Sequence, residues 1–500
     1  MGIIQKQSIQ STFIISVGFA IGALNTILIA PKILTPEQYG LTRIINEASV
    51  AVATLCTFGC LPIVYKFFPF YKSYLSPRKN DLPFLTLVVC MTGFVIMYIV
   101  GYLSKGLIIQ KFSGRSPLFV QYSYLVYPYA FTFLLLMWLE SFSIALKKAV
   151  ISNLLKEAAP RLLFTLLLIV FTFGLLNTHQ FFVAFSLLSI FPVIIIFAVL
   201  RNSGEFSFNP TISPVTRRLK GKMINFSLFL FGAQFLNLLS RTVDTFILSA
   251  KSERGLTDAA VFTIATYVVQ LMEIPQRSVN SISIPILSES WKNKDMKNIA
   301  HIYEKSVANL LIIGLLIFCL VLLNIHNLAS FLGKDYSGIE SVVFFLGIGK
   351  LIDLGTGTNG QIIGTSNYWK VDFTTNVIYT IIALPLNYML ISHYGLKGGA
   401  YASLISLTFY NLLRYIFLWY KFKLQPYTWK DLLAVTLAAV AVAVTWNIPR
   451  LESVVVDTAV RTTVFCMLFL PAVFYFKISE EVNGLIIKYL GVIRNFLSKE

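Results

Sequence analysis

Residues 223–250, MINFSLFLFGAQFLNLLSRTVDTFILSA, and 257–288, TDAAVFTIATYVVQLMEIPQRSVNSISIPILS, decide how this chain is read. Each run is long and apolar enough for a helix, yet each carries a row of polar side chains. The first row is Gln234, Asn237, Arg241 and Asp244; the second is Gln270, Glu273, Arg277 and Asn280. Both rows follow the spacing i, i+3, i+7, i+10, which on a 3.6-residue helix puts all four side chains on one face. Pro275 also removes a helix hydrogen bond midway along the second run. Two apolar helices with matching polar stripes imply a wet interior, and function is expected there.

Composition sets the class around that stretch. Of 500 residues, 56% are hydrophobic and only 13% charged, with a mean hydropathy of +0.73. A soluble domain has about 25% charged residues, so the chain reads as an integral membrane protein. Its apolar runs are about 20 residues long, which predicts helices rather than barrel strands of about 10. Fourteen spans are expected, near 9–30, 42–65, 82–104, 118–146, 157–176, 180–200, 223–250, 257–288, 303–325, 338–363, 373–392, 397–419, 430–447 and 458–476. The first is too long and continuous for a signal-peptide core and reads as a retained helix.

The distribution of Lys and Arg tests this topology. With the N-terminus inside, 25 of the 41 Lys and Arg fall in cytoplasmic segments and 9 on the other side, the remaining 7 lying within spans. Both termini are therefore expected in the cytoplasm. The net charge of +18 is then largely a topogenic signal and an attraction to anionic lipid, and no nucleic-acid partner is expected. Residues 478–500 place Leu485, Ile486, Tyr489, Leu490, Ile493 and Leu497 at helical spacing, which reads as an amphipathic helix on the inner surface or packed on the bundle. The five cysteines sit in apolar runs and the four histidines never cluster, so neither a disulfide framework nor a metal site is expected.

A weak internal similarity recurs at an offset of about 220 residues. Leu34-Thr35-Pro36 opens the second span and Leu256-Thr257-Asp258 the eighth, and each of these spans carries charges: Arg43 and Glu47, then Glu273 and Arg277. Spans four and ten each carry one acid, Glu140 and Asp353. The organisation expected is an N-terminal lobe over 1–215, a C-terminal lobe over 216–425, two extra helices over 426–477 and the tail 478–500.

A charge at the bilayer centre costs at least about 2.5–3.5 kcal/mol. The intramembrane cations are Arg43, Arg161, Arg241, Arg277, Lys350, Arg414 and Arg461; the acids are Glu47, Glu140, Asp244, Glu273 and Asp353. Arg161 and Arg461 lie near span starts, from which long side chains can snorkel, and are set aside from the cavity. Four pairs stand at i,i+3 or i,i+4: Arg43–Glu47, Arg241–Asp244, Glu273–Arg277 and Lys350–Asp353. Two readings stand for them, mutual neutralisation or the lining of a polar cavity. Span ten is also rich in glycine (Gly349, Gly355, Gly357, Gly360, Gly364), a poor helix tolerated at membrane depth only where it lines a cavity or packs in protein. No catalytic constellation and no nucleotide-binding motif appears, so an enzyme is not expected.

Three passages carry a resemblance. They are Leu34-Thr35-Pro36-Glu37-Gln38-Tyr39-Gly40-Leu41 leading to Phe58-Gly59; residues 267–288 with Pro275 and Pro285-Ile286-Leu287-Ser288; and Tyr394-Gly395-Leu396-Lys397-Gly398-Gly399-Ala400-Tyr401-Ala402-Ser403-Leu404. With them the chain resembles the polysaccharide (Wzx-type) flippases of the multidrug/oligosaccharidyl-lipid/polysaccharide exporter superfamily, over residues 9 to about 477. The resemblance implies a two-lobed, V-shaped bundle of about 14 helices in the bacterial inner membrane, working by alternating access. Its implied cargo is an undecaprenyl-diphosphate-linked oligosaccharide for O-antigen or capsule, with a glycan polymerase as a further partner and no cofactor. A lipid II flippase or a drug/cation antiporter of the same superfamily stands as the alternative. On this view Arg43, Arg241, Arg277, Lys350 and Arg414 hold the anionic head group. Glu47, Glu140, Asp244, Glu273 and Asp353 neutralise the empty cavity or carry a coupling proton or sodium ion.

Overall fold

The computed structural model describes residues 14, 16–146, 148–481 and 483–484, and their regular structure is entirely helical. The tail expected over 478–500 lies outside the described residues from 485 onward, as does the start of the first span. The chain resolves into two compact units, Met1–Thr263 and Ile264–Glu500. In the first, α1 (Ser16–Ile33) leads to α2 (Pro36–Cys56), α3 (Leu61–Tyr74), α4 (Leu82–Leu103), α5 (Lys105–Phe112), α6 (Pro117–Tyr122) and α7 (Val126–Ala145). There follow α8 (Ala149–Asn153), α9 (Ala159–Thr172), α10 (Thr178–Ser186), α11 (Ile190–Arg201) and α12 (Pro214–Lys251). Helix α13 (Leu256–Gln270) crosses the division, and α14 (Glu273–Lys292) and α15 (Met296–Leu332) continue into the second unit. It is completed by α16 (Ile339–Gly355), α17 (Asn359–Thr365), α18 (Trp369–Tyr394), α19 (Leu396–Phe422), α20 (Trp429–Trp446) and α21 (Val454–Tyr475).

Among the described residues nine helices are long and apolar enough to cross a membrane, and two bent pairs bring the number to eleven. The expected spans near 157–176, 223–250 and 338–363 are helical as well, but there charge or a broken backbone interrupts the apolar run. Apolar side chains also face outward, as a lipid-solvated surface requires. Val95, Ile96, Ile99, Val100 and Leu103 of α4 are each more than two-fifths exposed.

The interior of each unit is aromatic and aliphatic. In the first, Phe68, Tyr71, Trp138, Phe142 and Phe206 form one cluster, in which Trp138 donates its indole N–H to Thr86 Oγ1 at 3.0 Å. In the second, Leu287, Tyr303, Val307, Ile362 and Leu418 bring α14, α15, α17 and α19 together.

The bent pairs are the two segments aligned by the internal similarity: α2 with α3, at 42°, and α13 with α14, at 48°. In the first, Phe58 and Gly59 adopt φ of +42° and +71°, which no α-helix can continue. The Phe58 carbonyl so released accepts a hydrogen bond from Ser227 Oγ of α12 at 2.7 Å. Helix α12, read from the repeat as opening the second half, thus packs on α2 and α3 within the first compact unit. In the second pair, Pro275 has no N–H and its ring excludes the Leu271 carbonyl from helical bonding. The chain answers with tighter turns, Met272 N–H to Val269 O at 3.0 Å and Ile274 N–H to Leu271 O at 3.4 Å. The break therefore falls between Gln270 and Glu273. The row Gln270, Glu273, Arg277, Asn280 is split across it and is not one continuous face, a correction to the spacing argument.

One further expectation is corrected. Arg461 does not snorkel: its side chain is 6% exposed, its Nε lies 2.7 Å from Asp457 Oδ2, and its Nη2 donates to the Ile448 carbonyl at 2.9 Å. It clamps the α20–α21 turn from inside. Arg161 pairs with Glu157 at 3.1 Å and packs on α1 where Gly18 and Gly22 leave room.

Gly59 carries a testable consequence. A Cβ there would stand 2.4 Å from the Ser227 carbonyl oxygen at a φ that L-residues avoid. Gly59→Val should lower the thermal midpoint of the detergent-solubilised protein, for a strain of about 1–3 kcal/mol. An unchanged tryptophan-fluorescence melting curve would show that the bend does not depend on this residue.

Candidate functional site

The glycine-rich span is interrupted where its composition makes a helix poorest. Helix α16 ends at Gly355, Gly357 turns at φ +61°, and α17 begins at Asn359. Ser306 of α15 holds the turn, its Oγ 3.1 Å from Thr358 Oγ1 and accepting the Thr358 N–H at 3.2 Å. One turn before this break stand Lys350 and Asp353.

Around them the second unit assembles a cluster from four helices and the intervening turn. Lys350 Nζ lies 2.9 Å from Asp353 Oδ2 and 3.3 Å from Glu273 Oε1 of α14. The other oxygen of Glu273 accepts from Arg277 Nη2 at 3.0 Å. Asp353 Oδ2 also accepts from Gln276 Nε2, and its Oδ1 from Asn411 Nδ2 of α19, both at 3.0 Å. Asn411 Oδ1 in turn accepts from Thr356 Oγ1 at 2.8 Å and from Asn359 Nδ2 at 3.0 Å. Asp353 is thus saturated with donors, whereas Glu273 bridges two cations and keeps open flanks.

Exposure follows the same gradient. The Lys350 and Asp353 side chains are 12% and 16% exposed, Glu273 31% and Arg277 69%. The cluster is deep and rigid at Asp353 and opens outward through Glu273 to Arg277.

Arg414 lies three residues beyond Asn411 on α19. It pairs with Asp372 of α18, donates Nε–H to Thr375 Oγ1 at 3.3 Å, and stands 4.0 Å above the Tyr410 ring. Gly360 of α17 faces this guanidinium, and a Cβ there would come within 2.5 Å of Nη1.

The first unit holds the remaining candidate residues. Arg43 Nη2 donates to Thr26 Oγ1 of α1 at 3.2 Å, and its guanidinium lies 4.8 Å from the Tyr39 ring centre. Glu47, one turn further along α2, is half-buried. Glu140 is buried on α7 and bonds Lys156 at 2.9 Å. Lys156 sits in a π-helical turn, Leu154–Ala158, that turns it inward from the loop to which the charge count assigned it. On α12 the Asp244 Oδ1 and Gln234 Oε1 atoms are buried and lack a hydrogen-bond partner among the described residues. The side chains of Asn237 and Arg241 lie outside the described residues.

Of the ten candidate residues, then, Glu273, Arg277, Lys350 and Asp353 meet in one cluster, and Arg414 stands beside it in a second pair. Spacing along one helix missed Gln276, Asn411, Asp372 and Thr375. Asn411 was within reach, because it precedes Arg414 by three residues on one helix face. Asp372 was hidden by its position next to Lys370, in a turn counted as outside the bilayer.

Comparison with solved structures places this fold among known transporters. A lipid II flippase, MurJ, in an inward closed conformation superposes with a TM-score of 0.72 at 14% identity, covering 94% of this chain and 98% of that one. An inward-facing multidrug resistance MATE family transporter of the MOP superfamily gives 0.65 at 15% identity, over 81% and 93%. A MOP superfamily transporter from Pyrococcus furiosus gives 0.55 at 12% identity, over 85% and 96%. No protein-family model and no curated protein sequence matches. The shared feature is the fold, that of MOP-superfamily transporters.

The hub can be tested by a double-mutant cycle. Lys350→Met alone strands Asp353 and should destabilise the protein by about 3–5 kcal/mol, whereas Lys350→Met with Asp353→Leu should recover much of that loss. Strictly additive unfolding free energies would show that the two side chains do not act as a pair.

Proposed function

We propose that the chain is a lipid-linked oligosaccharide flippase. It would move undecaprenyl-diphosphate-linked glycan repeat units from the cytoplasmic to the outer leaflet of the bacterial inner membrane, by alternating access, for surface polysaccharide such as O-antigen or capsule. The observation that carries this reading is the arrangement of Lys350, Glu273 and Arg277. Two cations share one half-exposed carboxylate, 3.3 Å and 3.0 Å from its two oxygens. A diphosphate offers the same pattern of paired anionic oxygens with more charge, so it can take the place of Glu273 between Lys350 and Arg277. Asp353, held by Gln276 and Asn411 as well as Lys350, keeps the lysine in position while that exchange occurs.

Glu273 released in this way would be free to take up a proton or a sodium ion, which gives coupling a physical route. In the first unit Arg43, which bonds Thr26 and lies against the Tyr39 ring, is a further candidate cation for an anionic ligand. Arg414 stays in the role of support, because Asp372, Thr375 and the Tyr410 ring occupy it. A glycan polymerase is the expected partner downstream.

A second reading is supported by the superposition on a lipid II flippase. That cargo has the same diphosphate–prenyl chemistry with a peptidoglycan precursor as its sugar, so the cluster serves either. A drug/cation antiporter is less supported, since acids and cations balance around Lys350.

The distinguishing experiment measures binding of three ligands to purified protein: undecaprenyl-diphosphate oligosaccharide, lipid II and a lipophilic cation. Glu273→Gln should tighten the diphosphate ligand on the order of tenfold by removing its competitor, and Lys350→Met with Arg277→Gln should weaken it by a similar factor or more. Tighter binding of the lipophilic cation than of either diphosphate lipid would overturn the flippase reading.

A further inference from the structure

A second basic site lies in the first unit, at the start of α12. This helix has 38 residues and is therefore about 57 Å long, against a hydrocarbon thickness of about 30 Å. Its first turns carry Arg217, Arg218, Lys220 and Lys222, ahead of the apolar run that begins at Met223. Alongside them runs the second half of α3. Between the two helices is a groove of about 840 Å³ whose charged lining is Lys66, Arg218 and Lys222. Its apolar lining includes Phe67, Phe70 and Tyr74.

The chemistry of this groove is that of an amphiphile. None of its lining residues is acidic, and among the described residues neither Lys66, Arg218 nor Lys222 forms an ion pair. Elsewhere in the same unit, basic residues meet carboxylates: Lys72 with Glu205 at 2.6 Å, Lys156 with Glu140 at 2.9 Å, Arg161 with Glu157 at 3.1 Å. Lys66 instead lies 4.0 Å over the Phe226 ring, which fixes its ammonium at the apolar wall. Phe70 and Tyr74 are 46% and 73% exposed, so aromatic surface continues outward from the cations.

The groove is also rigidly built. Asp81 Oδ2 accepts from the Ser213 N–H and from Thr216 Oγ1, both at 2.8 Å, and Tyr71 Oη lies 2.6 Å from Thr216 Oγ1. These bonds pin the start of α12 to α3 and to the turn before α4. The Lys and Arg count assigns both flanking segments to the cytoplasmic side, where anionic lipids carry the surface charge.

We propose that this groove is a binding site for an anionic phospholipid of the inner leaflet. Lys66, Arg218 and Lys222 hold the phosphate, and Phe67, Phe70 and Tyr74 line the seat of the first part of an acyl chain. The lipid stays on this surface as a structural partner of α3 and α12, and the site is independent of the cargo assigned to the second unit.

The test is native mass spectrometry of the full chain, delipidated in detergent and titrated with phosphatidylglycerol or phosphatidylcholine. Phosphatidylglycerol should bind on the order of tenfold more tightly, and Lys66→Gln/Arg218→Gln/Lys222→Gln should abolish that preference. The control Lys292→Gln/Lys294→Gln/Lys297→Gln, with the same loss of charge elsewhere, should keep it. Lys66→Arg/Lys222→Arg should also keep it, which separates loss of the site from loss of the fold. Equal binding of the two lipids, or equal loss in the control, overturns the proposal. So does displacement of phosphatidylglycerol by equimolar inorganic phosphate or undecaprenyl diphosphate, which would assign the groove to a free anion or to the lipid carrier.

Discussion

Asp353 is the constraint on which the second unit depends. A carboxylate this deeply buried must be fully supplied with donors, because apolar surroundings supply none. Here the donors come from three helices: Lys350 from its own, Gln276 from α14 and Asn411 from α19. Two of these donors are themselves fixed, Asn411 by Thr356 and Asn359 and Lys350 by Glu273. The same bonds that make the charge tolerable therefore join α14, α16, α17 and α19. The network also positions the Lys350–Glu273–Arg277 triad.

Broken helices make that network possible. A straight α16 would continue past Asp353 and leave no room for Thr356 and Asn359 to turn back on Asn411. A straight α13–α14 would keep Glu273 on the stripe with Gln270 rather than beside Lys350. Proline and glycine act here through their backbone alone: one withholds a donor, the other permits a positive φ. The hydrogen bonds lost within the helix are then made across helices, as in the Phe58 carbonyl taken by Ser227 and the Thr358 amide taken by Ser306.

Two kinds of basic site emerge. Around Lys350 every described cation has an acid, so an anion bound there would enter by exchange. In the groove between α3 and α12 the cations face no acid, so an anion bound there would enter by addition. Exchange suits a site that must release its ligand, whereas addition suits one that retains it.

Much of this was legible in the amino-acid sequence. Composition and run length determined a helical membrane protein. The pairs Glu273–Arg277 and Lys350–Asp353 were readable too, since residues three or four apart on a helix must be neighbours. Pro275 and the glycines around Gly357 announced interruptions, because backbone chemistry is local. The tertiary structure alone decided that the two pairs are one cluster, that Asn411 and Gln276 complete it, that Asp372 is the partner of Arg414, and that Arg461 is a buried clamp. Those contacts join residues 39 to 77 positions apart, or a side chain to the carbonyls of a distant turn. Helical periodicity fixes which side chains share a face, but only packing fixes which face meets which.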